Sequence, residues 1–406
     1  MSAQHAQPGT APQHASAGTA PQHASAGAPP QHRSHRALHV DTLEHFDRLC
    51  ACVARAHGWH VGEIDLTGRR AELGLLDLRG CLFLGTALPE GYDDVARRRG
   101  ALVFPALEAM PFDPYRSTPY SPEELYAGLD AGGVYEQTPD ARIYHWYRAE
   151  AGDPDAQGAS LSMAIHDHAM GQSLIELTSA GGFAGVMGGH AAVRGSDEYA
   201  EAARLGYLLA RAGLTVATGG GPGAMEAANL GAYMSPFGEQ DLGEACAALA
   251  DVPSFRPSVS QWARAGFDAR RRAGDLPGGR SLGIPTWFYG HEPPNVFATD
   301  IVKYFANAQR EAVLLELCDA GIVFLPGAAG TVQEVFQDAC ENYYAAAGTG
   351  PNPMVLVGRE YWTRTLPVWP LLTALAAGRD MAEALFLVDT VEEAVEILGR
   401  GRAGTA

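Results

Sequence analysis

The run Phe324-Leu325-Pro326-Gly327-Ala328-Ala329-Gly330-Thr331-Val332-Gln333-Glu334 holds residue types that suit chemistry on a phosphorylated substrate. It reads as the end of a buried strand, a loop of small residues and the opening of a helix expected over 331–345. Small residues let an anion approach the backbone N–H groups at a helix N-terminus, where the macrodipole favours negative charge. Glu334 falls in the first turn of the expected helix, where the same dipole favours its ionised form. The expectation is an anion cradle beside a carboxylate that is charged at neutral pH.

A second loop, Thr218-Gly219-Gly220-Gly221-Pro222-Gly223-Ala224-Met225-Glu226, also follows an apolar run. One glycine-rich loop is weak evidence, because any tight strand-to-helix turn needs glycine. Two on one sheet favour a phosphate-containing ligand. Neither carries the Gly-Lys-Ser/Thr of a phosphate-binding P-loop, and the first lacks the dinucleotide spacing. ATPases and NAD dehydrogenases are therefore disfavoured.

These loops need a sheet to hold them. Apolar strand candidates fall at 183–187, 214–217, 282–288, 321–325, 354–357 and 385–388. Helical stretches separate them near 196–212, 223–234, 296–316, 331–345, 360–377 and 391–399. Alternating strands and helices predict an α/β fold, a Rossmann-like doubly wound parallel sheet over 181–400. Its ligand should sit at the carboxyl ends of the strands, where the strand order switches. Residues 37–180 read as a separate, smaller N-terminal α/β domain. It has strands at 81–85 and 101–104, a proline-rich stretch at 111–122 and a helix near 161–177. A nine-residue unit, GTAPQHASA, repeats at 9–17 and 18–26 and in degraded form at 27–35, so residues 1–36 read as a disordered low-complexity tail. Residues 401–406 form a second tail.

The chain has 406 residues, 47% hydrophobic and 19% charged, with a net charge of −18. Such acidity argues against nucleic-acid or anionic-membrane surfaces, both of which need clustered cations. Six cysteines without a C-x-x-C pair, together with no signal peptide and no long apolar run, point to free thiols and a cytoplasmic location.

The two loops together resemble the LOG family, the cytokinin-activating "Lonely guy" phosphoribohydrolases and their bacterial relatives, long misnamed lysine decarboxylases. The residues carrying the resemblance are Gly219-Gly220-Gly221-Pro222-Gly223-Ala224-Met225-Glu226 and Pro326-Gly327-x-x-Gly330-Thr331-x-x-Glu334. It extends over roughly 183–399, and the added N-terminal domain makes larger nucleotide-monophosphate nucleosidases the nearer comparison in layout. The resemblance implies hydrolysis of the N-glycosidic bond of a nucleoside 5′-monophosphate to free base and ribose 5-phosphate. It implies catalytic roles for Glu334 and Arg310. Gly219, Gly220, Gly221, Gly223, Met225, Pro326, Gly327, Gly330 and Thr331 would bind substrate or phosphate. Thr331 either donates its hydroxyl to phosphate or caps the helix. The resemblance further implies a homodimer with active sites near the subunit interface, and neither cofactor nor catalytic metal. A small N-terminal domain beside such a site would modulate access or sense a second ligand.

The chain departs from the family pattern at two positions. Ala328 replaces the second glycine of Pro-Gly-Gly-x-Gly-Thr, which disfavours alanine if that position needs positive φ. Glu311 follows Arg310 where the family has lysine. Non-hydrolytic binding of a nucleotide or nucleotide-like cofactor is the alternative function; a single-stranded DNA binder is a further rival that the charge counts against. Arg270, Arg271 and Arg272 form either a lid or a solvated helix face. A decarboxylase using pyridoxal phosphate needs a Schiff-base lysine, and the chain has only Lys303. His166 and His168, two apart on a helix, diverge and read as structural rather than metal ligands.

Overall fold

The computed structural model describes residues 37–107, 110–150, 157–274, 276–289, 292–345 and 350–403. The expected repeat tail, 1–36, lies outside the described residues, as do residues 404–406 of the C-terminal tail.

Among the described residues the strands form two parallel sheets. The smaller has four strands, β1 (Leu38–Val40), β2 (Trp59–Gly62), β3 (Leu82–Leu84) and β4 (Leu102–Phe104), lying in sequence order. The larger has seven: β5 (Phe183–Met187), β6 (Thr215–Thr218), β7 (Ser281–Gly283), β8 (Asp300–Ile301), β9 (Gly321–Phe324), β10 (Met354–Val357) and β11 (Leu385–Val388). Their order is β11-β10-β9-β5-β6-β7-β8. The chain builds outward from β5 in one direction, then returns to β5 and builds outward in the other. This is the doubly wound, Rossmann-like arrangement, with the reversal between β5 and β9. Every residue of β5, β9 and β10 is buried, as expected for strands covered on both faces.

The helix after the second glycine loop, Ala224–Tyr233, is locked against the helix Asp197–Arg211 by backbone contact. A Cβ added at Gly206 would stand 2.0 Å from the Ala228 carbonyl oxygen, and one at Gly231 would stand 1.8 Å from that of Ala203. Glycine is required at both for the helices to approach so closely. The position of the loop in front of Ala224 is thereby fixed.

Two expectations shift. The predicted helix over 296–316 begins only at Asn307, and β8 occupies part of the run before it. Val296, Phe297, Ala298, Ile301, Val302, Tyr304 and Phe305 are all buried, which a one-sided helix does not allow. The Asn295 side-chain oxygen accepts from the N–H groups of Phe297 and Ala298 and sets a turn there.

The hydrophobic cores also divide away from residue 180. One cluster, from Val40 to Ala101, belongs to the small sheet. Phe112, Tyr120, Leu125, Tyr126, Ile143, Met170 and Leu174 instead join the core of the large sheet. Residues 111–150 and 157–178 thus pack with the large sheet, at its β7–β8 edge. Tyr120 and Ile301 form an antiparallel bridge, and the Tyr126 hydroxyl donates to the Pro294 carbonyl at 2.6 Å. Deeper in, Asp140 accepts from Lys303 Nζ at 2.6 Å and Trp287 Nε1 at 2.9 Å.

Candidate functional site: a carboxylate-lined cleft at the strand switch

Three loops leave the carboxyl ends of the neighbouring strands β6, β5 and β9 and meet. Leu325 N donates to Met187 O at 2.8 Å, and Gly189 N to Pro326 O at 3.3 Å, so the β5 and β9 loops are laced together. The β6 loop is held from behind. Gly220 N donates to Thr218 Oγ1 at 2.9 Å, Asn295 N donates to Gly220 O at 2.8 Å, and Asn295 Nδ2 donates to Gly221 O at 3.2 Å. Between the loops opens a cleft of about 790 Å³.

The expected residues separate into two groups. Gly219, Gly221, Met225, Arg310, Pro326, Gly327, Gly330, Thr331 and Glu334 all line the cleft. Gly220 and Gly223 do not. Both have positive φ (71° and 79°), and an added Cβ would meet Pro285 Cδ at 2.7 Å or Gly189 O at 2.6 Å. They shape the loop rather than touch its contents.

The β9 loop leads into the helix Ala329–Tyr343. The first backbone N–H groups of that helix have no intrahelical acceptor, and Ala328, Ala329, Gly330 and Thr331 line the cleft. Gly327 lets the chain turn tightly here, since a Cβ would stand 2.1 Å from Thr331 Oγ1. Ala328 has φ −96° and ψ −144°. The position does not need positive φ, so alanine carries no strain, and the concern over the missing glycine falls away.

Glu334 lies differently from the sequence expectation. The helix starts at Ala329, which places Glu334 past the first turn, where the dipole has faded. Burial pushes its carboxyl up to about 8, with Glu311 and Glu292 adding to the rise and Arg310 opposing it. Its surroundings favour the protonated form, against the expected carboxylate.

Arg310, 9% exposed on the helix Asn307–Glu316, stands between two acids. Its Nη2 is 3.1 Å from Glu311 Oε1, and its Nη1 donates to Glu311 Oε2 at 3.2 Å. The same Nη1 is 3.8 Å from Glu334 Oε1. Arg310 Nε is buried without a hydrogen-bond partner. Glu311 is itself raised by burial, against the opposing effects of Arg310 and Asn307. Glu292 sits at the mouth, with its Oε1 3.8 Å from His190 Nδ1.

Other residues singled out in the sequence lie away from the cleft's lining. Glu226 pairs with Arg194 in the core, and Lys303 with Asp140. Arg270 donates to the Val296 carbonyl at 2.9 Å and pairs with Glu123 at 2.7 Å, while Arg271 pairs with Asp268 and Asp130. The first two arginines of the triplet therefore tie the segment 122–130 to the large domain and form no lid. His166 is buried against the Tyr120 hydroxyl, and Asp167 accepts from the N–H groups of Phe305 and Ala306. Among the described residues no group of three or more His, Cys, Asp or Glu is placed to hold a metal ion, no helix is long and apolar enough to cross a membrane, and all six cysteines are free.

Three contributors were not foreseen. The Gly188-Gly189-His190 loop was visible as a glycine pair directly after a strand. Tyr361, whose hydroxyl donates to Gly327 O at 2.7 Å, and Glu292 carry no sequence signal, because only the fold brings them to the cleft.

Comparison with known proteins adds the following. Residues 269–398 match the family described as "Possible lysine decarboxylase". No curated protein matches the chain by sequence. Among solved structures, the molybdenum cofactor binding protein of the phototrophic bacterium Rippkaea orientalis is 17% identical, covering 54% of this chain and 96% of that one, with a TM-score of 0.33. The molybdenum cofactor carrier protein of Chlamydomonas reinhardtii is also 17% identical, covering 55% and 99%, with a TM-score of 0.33. The segment that matches this family model spans about a third of the chain and contains both Arg310 and Glu334 together with β7 to β11.

Proposed function

We propose that the cleft hydrolyses the N-glycosidic bond of a nucleoside 5′-monophosphate, releasing free base and ribose 5-phosphate. The observation that carries this reading is the placement of Glu334 and Arg310 3.8 Å apart, in the same cleft as the open helix N-terminus at Ala329. That N-terminus suits the 5′-phosphate dianion. Arg310 Nε, buried and unpartnered, suits a ribose or phosphate oxygen. Breaking the bond leaves its electron pair on the base and cationic character at C1′. A protonated Glu334 can give its proton to the departing base; the resulting carboxylate then stabilises the sugar cation and takes a proton from the water that adds to C1′. One water is consumed and Glu334 is restored. The proposal includes a cytoplasmic homodimer without cofactor.

The decarboxylase wording of the family description does not fit this chain. Lys303 is 1% exposed, its amine is 2.6 Å from Asp140, and it is absent from the cleft lining. No Schiff base can form there without breaking a buried ion pair.

A second reading is binding without turnover, favoured by the Glu311 grip on Arg310, which leaves less of the guanidinium for substrate. The experiment is a panel of nucleoside 5′-monophosphates with free base as readout. Glu334→Gln should lower base release by about 10³-fold or more, in line with loss of a proton-transfer group that also stabilises developing charge. Tight nucleotide binding with no base released by the unmodified protein would select the carrier reading instead.

A further inference from the structure

The cleft is lined by four glutamates and one arginine, and two of the glutamates, Glu311 and Glu334, stand within 4 Å of the guanidinium. Glu334 comes from the helix Ala329–Tyr343, Glu311 and Arg310 from the helix Asn307–Glu316, and Glu292 from the segment before Asn295. His190 faces Glu292 across the mouth, and Glu198 lines the same cleft from the helix Asp197–Arg211. One guanidinium cannot neutralise all of these acids, so the geometry of its grip determines which acid keeps its proton. Arg310 makes two close contacts to Glu311, at 3.1 and 3.2 Å, and one longer approach to Glu334, at 3.8 Å.

We propose that Glu311 is a positioning residue for the cleft: it holds the Arg310 guanidinium to its own side, so that Glu334 meets the ligand as a proton-bearing acid rather than as the arginine's ion-pair partner. The inference deepens the hydrolase reading, since it concerns the same Arg310 and Glu334. Two physical effects run together. Glu311 draws the favourable charge of Arg310 away from Glu334, and its own negative charge opposes a second carboxylate nearby. Burial is the largest cause of the rise of the Glu334 carboxyl to about 8, and the charge of Glu311 adds to it while Arg310 opposes it. A neutral or cationic side chain at 311 would free Arg310 to close on Glu334, and the acid would become a paired carboxylate.

The consequence for the reaction is specific. With Glu334 protonated, the proton needed by the departing base is already in place when the C1′–N bond breaks. With Glu334 ionised and paired, that proton must come from water, and bond breaking slows.

The test reads the proton on Glu334 directly. The full chain is labelled with glutamate carrying 13C at the side-chain carboxyl. The Glu334 signal is assigned by its loss in Glu334→Gln, and its titration is followed by NMR. Glu311→Gln should raise the acid dissociation constant of Glu334 at least tenfold, and Glu311→Lys should raise it further. Glu311→Asp, which keeps the charge, should stay nearer the parent protein than either. If Glu311→Gln does not fold, Glu311→Lys against Glu311→Asp gives the same contrast. An unshifted Glu334 titration in the Gln and Lys variants overturns the proposal, as does an equal shift in the Asp variant.

This readout separates the two ideas. A shifted titration in a protein that releases no base supports the role of Glu311 and defeats the hydrolase reading. An unshifted titration with base release intact does the opposite. Where base is released, the high-pH limb of the rate profile should move to lower pH in Glu311→Gln by the same factor as the titration.

Discussion

Two buried arginines of this protein meet glutamate in opposite ways. Arg194 and Glu226, 3% and 1% exposed, form a closed pair. Arg194 Nε stands 3.2 Å from both Glu226 oxygens, its Nη1 donates to the Trp262 carbonyl at 3.1 Å, and its guanidinium lies 4.8 Å from the Trp262 ring centre. Arg310 has more acid around it and is less well satisfied, with one nitrogen buried and unpartnered. A closed pair fixes structure, because every donor and charge is answered within the fold. An open cluster leaves donors and protons for something that enters. The two sites draw on the same residue types, so only the completeness of their partnering distinguishes them.

That contrast can be broken by mutation. Glu226→Ala strands a charged guanidinium in the core and should cost about 3–5 kcal/mol of folding stability. Denaturant unfolding at neutral pH measures it. Glu334→Gln should leave stability unchanged or raise it, because it removes an acid the fold holds neutral against its ordinary ionisation. A large loss in Glu334→Gln would mean that the cluster is as structural as the core pair.

The dependence of stability on pH gives the next effect. The Glu334 carboxyl is raised to about 8 and that of Glu341, by burial and nearby Glu316, to about 7. Both stand above the ordinary value of 4.5, so the unfolded chain gives up these protons first as pH rises. Their contribution to stability is fully present below pH ~4.5 and is lost as pH climbs through ~7 and ~8. Unfolding free energy should therefore fall across that window, and Glu334→Gln should remove part of the slope. An unaltered slope would place the Glu334 proton elsewhere.

The smallest effect concerns Ala328. Its φ of −96° is open to alanine, so restoring the family's glycine with Ala328→Gly should change stability by less than ~1 kcal/mol and base release by less than about threefold. Calorimetry and the base-release assay check this together. A large gain in turnover would show that the loop does need a conformation only glycine reaches.

Much of this molecule could be read from its residues. The strands at 183–187, 354–357 and 385–388 match the expected spans, because continuous apolar runs between glycine and charge have few other uses. Both glycine loops emerged at strand ends on either side of β5 and line one cleft, as the alternation of strands and helices implied. The segment 111–178 was misassigned because its anchors are distant in sequence. Asp140 meets Trp287 and Lys303, and Tyr126 meets Pro294, contacts with no local pattern to announce them.

The residues alone determined that a small-residue helix start, an arginine and a glutamate would lie beside one parallel sheet. They could not determine the charge that glutamate carries. Helix position alone suggested an ionised acid; the folded cleft buries Glu334, turns Arg310 toward Glu311 and brings in Glu292 from another segment. Charge state is set by every group within a few ångströms, and tertiary packing chooses those groups.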